Sequence, residues 1–352
     1  MKLIIQIPCF NEQDQLPLTL RDLPREVPGF DTVEWLIIDD GSTDQTIEVA
    51  RRGGVDHIVR LTNHKGLAAA FQAGLDAGLK LGADVIVNTD ADNQYEGQDI
   101  PKLVAPILDG EADMVVGDRQ VATIAHFSSA KKQLQRVGSW VVRQASSTEV
   151  PDATSGFRAY NREAALQVQA VSQFTYTLET IIQAGKLLVA IKDVPIRTNP
   201  KIRESRLFPS SGAYVRRNAL SIFRIYAQYE PLKVFWGGAL ILGIPAVVLF
   251  LRFLIDFIAN PGRSGHTQSL ILGAVLFIAA MLLGALGVIG DLLAAQRTLS
   301  QRTFERVRRV ELQLGVEPSH YEPGPGRSAP GTGPEPSRSS SPDTEDREAL
   351  GV

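Results

Sequence analysis

Short runs of apolar, mostly β-branched residues alternate with helical patterns from Lys2 to about Val194. The runs are LIIQI, EWLIIDD, VDHIVRL, ADVIVNTD and ADMVVG, and each ends close to a loop or the start of a helix. Such an alternation is typical of a parallel sheet that is covered by helices on both faces. The pattern therefore predicts an α/β fold for this part of the chain.

Polar residues cluster directly after these runs, in CFNEQ, DDGSTD, TDADNQ and GDR. Each cluster therefore follows the carboxyl end of a predicted strand. Open α/β sheets bind their ligands in a crevice at the carboxyl ends of the strands. We therefore expect a ligand site at this edge of the sheet, built from the loops that follow the strands.

The segment SGAYVRRNALSIFRIYAQYE, which begins at Ser211, predicts an amphipathic helix. Its apolar side chains fall on one side, and Arg216, Arg217 and Arg224 fall on the other. A basic face suits an anionic membrane surface, so we expect a juxtamembrane helix over residues 211–232. The alternative is a helix packed on the preceding domain with its basic face in solvent.

Two long apolar stretches follow, at residues 234–259 and 269–290. Each is longer than the ~20 residues that a helix needs to cross a bilayer. We predict two transmembrane helices within residues 233–293. The alternative is a pair of buried core helices, although such helices are seldom apolar all round. Arg252 and Asp256 interrupt the first stretch, and they either pair at i,i+4 or lie in the interfacial zone.

Basic residues on either side of the two stretches predict their orientation. The loop at residues 260–268 holds only Arg263 and His266, whereas residues 197–233 and 297–309 are rich in Lys and Arg. The positive-inside rule places both flanks in the cytoplasm and the short loop outside. We therefore expect a multi-pass protein of the cell membrane whose catalytic domain and C-terminus are cytoplasmic.

Glycines within the apolar stretches favour close helix packing. We expect them to support membrane anchoring together with some self-association into a homo-oligomer. The glycines concerned are Gly237, Gly238, Gly243, Gly284 and Gly287.

The composition divides the rest of the chain. Residues 1–210 form the predicted α/β domain, and residues 294–316 predict a basic cytoplasmic helix. From Glu317 the chain consists of Pro, Gly, Ser and charged residues with almost no large apolar side chains. Such a segment cannot bury enough apolar surface to become ordered, so we expect a disordered tail over residues 317–352.

The charge balance and the single cysteine restrict the class of protein. A net charge of -3 argues against a general nucleic-acid binder, which needs a concentrated basic surface. Cys9 has no partner for an internal disulfide, so the chain fits a reducing compartment. The apolar stretch within MKLIIQIPCFNEQ is too short for a signal peptide. These features favour the cytoplasm for the α/β domain.

The motif Asp90-Ala91-Asp92 follows a predicted strand. Two carboxylates with one small residue between them can face a single hard cation, and Gln94 adds a neutral oxygen ligand. A motif this short is weak alone, and a solvated or capping pair of carboxylates is the alternative.

Two other polar loops are candidates for binding a nucleoside. In DDGSTD, Asp40 can accept hydrogen bonds from a base or ribose, and the alternative is a turn and helix cap built from Ser42 or Asp44. In IPCFNEQ, Pro8, Phe10, Asn11 and Glu12 form an apolar wall with polar groups, and the alternative is an ordinary loop.

The segment NHKGLAAAFQAG begins a further predicted helix. Small residues after Gly66 favour a helix that packs close to the sheet. We favour a packing role for this segment, and a functional role is the alternative.

Taken together, these motifs occur in the order and spacing of family 2 glycosyltransferases. The chain resembles the dolichol-phosphate mannosyltransferases of that family and their bacterial polyprenyl-phosphate relatives, over about residues 2–230. The resemblance implies a GT-A-like fold. The matching motifs are Pro8-x-Phe10-Asn11-Glu12, Asp39-Asp40-Gly41-Ser42-x-Asp44, Lys65-Gly66-Leu67, Asp90-Ala91-Asp92-x-Gln94, Gly117-Asp118-Arg119 and Asp152-x-x-Ser155-Gly156-Phe157-Arg158.

The resemblance implies a nucleotide-sugar donor, linked to GDP or UDP, and Mg²⁺ or Mn²⁺. In this family the first and second loops hold the nucleoside, and the acidic motif surrounds the diphosphate and the metal. The residues concerned are Pro8, Phe10, Glu12 and Asp40 for the nucleoside, and Asp90, Ala91, Asp92 and Gln94 for the diphosphate and metal, with Asp92 and Gln94 as direct metal ligands.

The resemblance also implies a polyisoprenyl phosphate acceptor within membrane lipid. Arg119 contacts the donor phosphates or the acceptor, and Lys132 and Arg136 lie where the family binds the lipid phosphate. Arg136 departs from the small hydroxyl residue that the family uses. The family also carries a cytoplasmic Gly-Glu-Ser-Lys-like run, which residues 201–206 resemble without the glycine. Basic groups in this segment can form charge-assisted hydrogen bonds with phosphate. The basic residues are Lys201, Arg203 and Arg206, and Ser205 of the same segment is a further expected contact.

Two carboxylates complete the expected catalytic set of Asp92, Asp152, Arg119 and Glu179. Glu179 lies on a predicted helix that is otherwise apolar, where a carboxylate is costly to bury unless it is paired or bound. The resemblance implies that Glu179 contacts the sugar or an arginine. Thr175 replaces a lysine that some members carry four residues before this glutamate.

The expected reaction is inverting transfer of a hexose-type sugar. The acceptor phosphate oxygen attacks the anomeric carbon as the nucleoside diphosphate leaves, and an ionised phosphate needs no strong general base. Asp152 is expected to orient the acceptor or a cationic neighbour. The alternatives are a processive polysaccharide synthase, against which the missing Gln-x-x-Arg-Trp element counts, and an inactive membrane scaffold with the same fold.

Overall fold

The computed structural model describes residues 1–120, 143, 148, 150–170, 176–200, 223–224, 226–259 and 267–325. Within these residues the chain forms one sheet covered by helices on both faces, followed by a hairpin of two long apolar helices. The sheet then receives its last described strand from the residues that follow the hairpin.

Across the described ranges the sheet has eight strands in the order β7-β5-β6-β4-β1-β2-β3-β8. Among these strands β6 and β8 run antiparallel to their neighbours and the others pair in parallel, which confirms the prediction of a mostly parallel sheet. The strands are β1 (Lys2–Cys9), β2 (Thr32–Asp39), β3 (His57–Arg60), β4 (Val85–Asn88), β5 (Met114–Asp118), β6 (Arg158–Asn161), β7 (Ile191–Pro195) and β8 (Tyr321–Pro323).

Helices cover both faces of the sheet, and the central strands are therefore buried on both sides. One core lies between the sheet and α3, α5 and α6, and the other lies between the sheet and α1, α2 and α4. The helices are α1 (Leu16–Asp22), α2 (Thr46–Arg52), α3 (Leu67–Lys80), α4 (Ile100–Leu108), α5 (Arg162–Gln167), α6 (Tyr176–Lys186), α7 (Pro231–Ala259) and α8 (Thr267–Gln313).

Helices α7 and α8 form the apolar hairpin. Both are long and apolar enough to cross a membrane. Their large apolar side chains point outward; Ile241 is 72% exposed and Leu282 is 62% exposed. The alternative prediction of two buried core helices is therefore wrong, since most of this apolar surface has no protein neighbour in the described part of the chain.

The glycines of the hairpin divide into two groups. A Cβ at Gly287 would lie 3.0 Å from the Trp236 ring, and one at Gly238 would lie 3.3 Å from Leu283, so these glycines serve packing between α7 and α8. A Cβ at Gly237 or Gly284 would meet no atom of the described residues within 4 Å. Self-association through these outward positions remains a prediction.

Helix α8 continues beyond the apolar stretch as a single helix of 47 residues. The predicted basic helix over 294–316 is therefore the continuation of the second predicted span without a break up to Gln313, and the boundary of the membrane part near 293 remains a prediction. The last turns of α8 pack on the α/β domain, where the buried Arg308 side chain donates hydrogen bonds to the carbonyls of Ala165 and Leu166.

Strand β8 corrects the predicted start of the disordered tail. It pairs antiparallel with β3, and the Tyr321 hydroxyl lies 2.9 Å from Nδ1 of His57. The prediction is wrong for residues 317–325, because backbone pairing and one aromatic ring supply contacts that composition does not reveal. Residues 326–352 and most of the predicted juxtamembrane helix, up to residue 222, lie outside the described residues.

Candidate active site

The candidate site lies at the carboxyl edge of the sheet, where the parallel strands β1, β2, β4 and β5 end. Four loops meet there, and each carries one of the polar clusters identified in the sequence. A fifth segment, residues 152–157, approaches the same edge just before β6.

The loops after β1 and β2 are joined by side-chain hydrogen bonds. The backbone N–H of Asn11 donates to the Ser42 hydroxyl at 2.9 Å, and the Asn11 side-chain oxygen accepts from the Thr43 N–H at 2.8 Å. The N–H of Glu12 donates to the Thr46 hydroxyl at 2.9 Å. These bonds leave the Phe10 ring partly exposed beside the loop.

Asp40 is buried and holds the loop that precedes α3. Its carboxylate accepts the N–H groups of Lys65 and Gly66 at 2.7 and 2.8 Å. Its Oδ2 also lies 2.8 Å from Nδ1 of His64, whose ring stacks on Phe10 with centroids 3.9 Å apart. The carboxylate expected to meet a base or ribose therefore orders the neighbouring loop, and the exposed rings of Phe10 and His64 form the surface beside it.

Gly41 allows this close approach of two loops. Its φ of +75° is rare for L side chains, and a Cβ there would lie 2.8 Å from the backbone of Asn63 and His64. Asp44 accepts the Thr46 N–H at 3.0 Å at the start of α2. The chain turns in this loop as predicted, whereas the N-cap residue of α2 is Gln45, which makes no side-chain cap hydrogen bond.

The acidic motif after β4 places Asp90 in a largely desolvated position. Burial and the nearby charge of Asp92 raise the pKa of Asp90 to about 7. Asp92 is oriented by Gln94, whose side-chain amide donates to its Oδ2 at 2.7 Å. Two carboxylates that disfavour each other's charge are stabilised when a cation lies between them.

Arg119 and Asp152 face each other across the site. The Arg119 guanidinium donates to both oxygens of Asp152, at 2.6 and 2.9 Å, and to the Thr154 hydroxyl at 2.7 Å. Asp152 is buried, which opposes ionisation, yet its hydrogen bonds from Arg119 hold its pKa below the usual value. Asp152 is therefore an ionised partner of Arg119.

The sequence of this chain is similar to those of known proteins. Residues 4–168 match the family described as glycosyl transferase family 2. An undecaprenyl-phosphate mannosyltransferase of Micrococcus luteus is 30% identical over 250 residues, which cover 67% of this chain and 100% of that protein. The chain belongs to glycosyltransferase family 2. The resemblance expected from its motifs is confirmed, and the chain is a glycosyltransferase.

Further relatives agree with this family. A polyprenol monophosphomannose synthase of Mycolicibacterium smegmatis is 28% identical to this glycosyltransferase over 224 residues, which cover 60% of the chain and 82% of that protein. The crystal structure of glucosyl-3-phosphoglycerate synthase from Mycobacterium tuberculosis with Mn²⁺, UDP-glucose and phosphoglyceric acid covers 64% of the chain and 80% of its own, at 19% identity and a TM-score of 0.51. The expected GT-A-like fold is confirmed.

Buried polar side chains on β1 and β4 form hydrogen bonds beneath the acidic motif, and the sequence analysis did not identify them. Gln6 and Asn88 are neighbours on β1 and β4, and the Gln6 amide donates to the Asn88 oxygen at 2.8 Å. Asn88 in turn donates to the Gly156 carbonyl at 2.8 Å and to the Tyr176 hydroxyl at 3.1 Å. The signal was present in the sequence, since a polar amide in an otherwise apolar strand needs a partner.

Tyr95 and Gly156 fix the segment before β6 against the acidic motif. The Gly156 N–H donates to the Tyr95 hydroxyl at 2.9 Å. A Cβ on Gly156 would lie 2.9 Å from the Tyr176 hydroxyl and 3.2 Å from Oδ2 of Asp90. Only a glycine lets the backbone come so close to the Asp90 carboxylate.

Arg158 holds the segment that carries Asp152. This side chain is fully buried, and it donates to the carbonyls of Ser155 and Ala153 at 2.7 and 2.8 Å. Its third bond, at 2.7 Å, goes to the Thr180 hydroxyl on α6. The position of Asp152 is therefore tied to helix α6.

Glu179, expected among the catalytic residues, is paired with an arginine of α8. Glu179 is 3% exposed, and its Oε1 accepts from Arg297 of α8 at 2.5 Å. Of the two expected contacts, a sugar or an arginine, the structure shows the arginine. A direct contact of Glu179 with the sugar remains a prediction.

Several predicted phosphate-binding residues cannot be placed, because they lie outside the described residues. They are Lys132, Arg136, Lys201, Arg203, Ser205 and Arg206.

The residues of the acidic motif fit a divalent cation. The described part of the chain has no cluster of three or more His, Cys, Asp or Glu that could hold a metal by itself. Asp90 and Asp92 would supply two carboxylates, and Mg²⁺ in particular is often held by one or two carboxylates together with substrate phosphates. Both carboxylates follow the end of β4, and the Asp92 carboxylate is oriented by Gln94, so the donor set suits a hard cation. Burial and the charge of Asp92 raise the pKa of Asp90, and a cation there would offset this unfavourable charge.

Proposed function

We propose that this glycosyltransferase transfers a hexose-type sugar from a nucleotide sugar to a polyisoprenyl phosphate, with inversion and a divalent metal, at the cytoplasmic face of the cell membrane. One observation carries the proposal: a single sheet bears both the acidic edge with Arg119 and a hairpin suited to a bilayer. The mannosyltransferase of Micrococcus luteus, matched over its whole length, is named for an undecaprenyl-phosphate acceptor.

The donor is proposed to lie along the carboxyl edge of the sheet. Its nucleoside would lie against the exposed Phe10 ring, and its diphosphate would reach Asp90 and Asp92. The solved relative of this fold contains Mn²⁺ with UDP-glucose. A bound Mg²⁺ or Mn²⁺ would neutralise the charge that develops on the leaving diphosphate.

The acceptor phosphate is proposed to approach on the side of Arg119. A phosphate is ionised near neutral pH and attacks without a strong base. Asp152 is ionised and bonded to Arg119, so its role is to orient that cation. The remaining task of the site is to align two anionic groups, which fixed cations do well in a partly buried cleft.

The membrane arrangement is supported by the order of the strands. Strand β3 precedes the hairpin and β8 follows it, and the two strands pair. Chain segments within one sheet lie on the same side of any membrane that the hairpin crosses. Together with the basic flanks, this supports two spans with both flanks cytoplasmic.

The test uses the full chain in detergent with labelled GDP- and UDP-sugars, undecaprenyl or dolichyl phosphate, and Mg²⁺ or Mn²⁺. The expected result is one sugar per lipid, recovered in the lipid phase, which disappears on chelation. A polymeric product would instead indicate a processive synthase. The absence of both transfer and donor hydrolysis with every donor would indicate a scaffold.

A further inference from the structure

The end of α8 lies against the α/β domain through a set of arginines. Arg297 bonds to Glu179 of α6, Arg308 enters the domain beside α5, and Arg309 pairs with Glu163 of α5. The helix that forms the second apolar arm of the hairpin is thus in direct contact with two helices of the catalytic domain. The pair of Arg297 and Glu179 is less exposed than the pair of Arg309 and Glu163. Its carboxylate also lies on α6, the helix that contacts the segment around Asp152.

The contact between Arg297 and Glu179 is buried on the side of the carboxylate and partly exposed on the side of the guanidinium. The Glu179 side chain is 4% exposed and that of Arg297 is 26% exposed. The Arg297 guanidinium also lies over the Tyr229 ring, 4.5 Å from its centroid, and the Gln183 amide lies 3.4 Å from the same carboxylate oxygen. Tyr229 comes just before α7, so the cluster joins both arms of the hairpin to α6.

Helix α6 leads from this cluster to the reaction centre. Thr180, next to Glu179, accepts the hydrogen bond from Arg158, which holds the backbone around Asp152. Tyr176, at the start of the same helix, bonds to Asn88 and lies against Gly156 beside Asp90. A displacement of α6 would therefore move both sides of the site.

We propose that Arg297 is a positioning residue of the transfer reaction: it fixes α6, and through α6 the segment carrying Asp152, relative to the membrane hairpin. The proposal rests on the proposed function, in which the acceptor phosphate comes from the bilayer. It gives Arg297 the role of setting the distance between that phosphate and the site. Buried charge pairs are strong positional constraints, since either partner alone is costly to leave buried.

The other contacts of α8 make this role separable from simple attachment. Arg308 donates to two carbonyls, Arg309 pairs with Glu163, and β8 pairs with β3, all without Arg297. Loss of Arg297 therefore leaves α8 attached to the domain. Arg309 is a matched control, because its ion pair joins α8 to α5 at a more exposed position.

The experiment compares the full-length enzyme with R297Q, R297K, E179Q and R309Q in detergent. The substrates are undecaprenyl phosphate and the labelled GDP- or UDP-sugar that the unaltered enzyme uses best. R297Q and E179Q are expected to lower kcat/KM for the lipid by about tenfold or more, since small misplacements of a site are costly. The KM for the donor should stay within about twofold. R297K should recover part of the loss, and R309Q should resemble the unaltered enzyme.

Hydrogen exchange gives a second readout that needs no turnover. In R297Q, amides of α6 and of residues 152–158 should exchange faster, whereas those of β1 and β2 should not. Equal exchange of α6 in R297Q and R309Q would overturn the proposal, as would equal loss of donor and lipid kinetics. An inactive unaltered enzyme would reject the proposed function alone, and the exchange measurement would still decide whether Arg297 fixes α6.

Discussion

Arg119 and Asp152 meet through two hydrogen bonds, from Nε to Oδ2 at 2.6 Å and from Nη2 to Oδ1 at 2.9 Å. The buried carboxylate is thereby kept ionised and the guanidinium kept in one orientation. This arrangement differs from that of a catalytic base, which needs a free lone pair directed at the proton it removes.

Replacing Asp152 should therefore disorient Arg119 rather than remove a base. In D152N an amide N–H would face the guanidinium, and we expect kcat/KM to fall by about a hundredfold. Because the pKa of Asp152 is lowered, its contribution is present above the usual aspartate value and is lost only on strong acidification. The pH profile of the unaltered enzyme between about pH 6 and 8 should thus contain no step from Asp152. Full turnover of D152N with normal acceptor affinity would contradict this role.

The acidic motif predicts dependence on a divalent metal. D92N should lower metal-dependent transfer by about a hundredfold, because one of the two carboxylates proposed to hold the cation would be lost. The measurement is the initial rate as a function of Mn²⁺ concentration, before and after chelation. D14N removes an exposed carboxylate ahead of α1 and serves as the control. Similar metal curves for D92N and the unaltered enzyme would show that the cation lies elsewhere.

The raised pKa of Asp90 predicts competition between protons and metal. With a pKa of about 7, this carboxyl is increasingly protonated as the pH falls below that value. A cation must displace that proton, so the apparent affinity for Mn²⁺ should weaken from pH 8 to pH 6. Titrations of the enzyme with Mn²⁺ at several pH values would measure the change. An affinity independent of pH in this range would mean that Asp90 is already ionised before the metal binds.

The contact of Gly156 with Asp90 predicts sensitivity to one added methyl group. G156A would place a carbon 2.9 Å from the Tyr176 hydroxyl and 3.2 Å from Asp90. We expect the rate to fall by about tenfold or more, with a weaker apparent metal affinity, because the carboxylate must move. G284A is the control for metal affinity, since Gly284 lies on the apolar hairpin and a Cβ there meets no described atom within 4 Å. Unchanged metal affinity in G156A would show that Asp90 tolerates the shift.

The bond between Tyr321 and His57 predicts that β8 stabilises the sheet. Y321F removes a hydrogen bond of 2.9 Å in a partly buried place, which should lower the free energy of unfolding by about 1 kcal/mol. E322Q breaks the exposed ion pair with Arg51 and should change it by less than about 0.5 kcal/mol. Thermal unfolding in detergent would compare the two variants. Equal stability of Y321F and the unaltered protein would mean that backbone pairing alone holds β8.

Much of the fold was predictable because most of its parallel strands are short apolar runs that stand out in the sequence. The five predicted strands correspond to β1 to β5, whose apolar runs are buried on both faces. Strands β6, β7 and β8 were missed. Strand β7 is exposed at the sheet edge with the polar sequence IKDVP, and β8 has three residues that end in Pro323, so neither shows an apolar run.

The motifs of the site were predictable from the sequence, but the residues to which their side chains bond were not. Asp90, Asp92 and Arg119 stand out by type and spacing, as does Asp152. What Glu179 bonds to is fixed by a residue 118 positions away on another helix, and no local pattern encodes such a pairing. The same holds for Asp40, whose carboxylate serves a loop 25 residues further on.

The pairing of β8 with β3 makes the hairpin an insertion within the catalytic domain rather than an appendage after it. Shortening the enzyme ahead of α7 to obtain a water-soluble version would remove a strand, the docked end of α8 and the partner of Glu179 at once. The bared backbone of β3 would then be free to pair with other molecules, which promotes aggregation. The apolar hairpin and the sheet are thus parts of one folded unit in this enzyme.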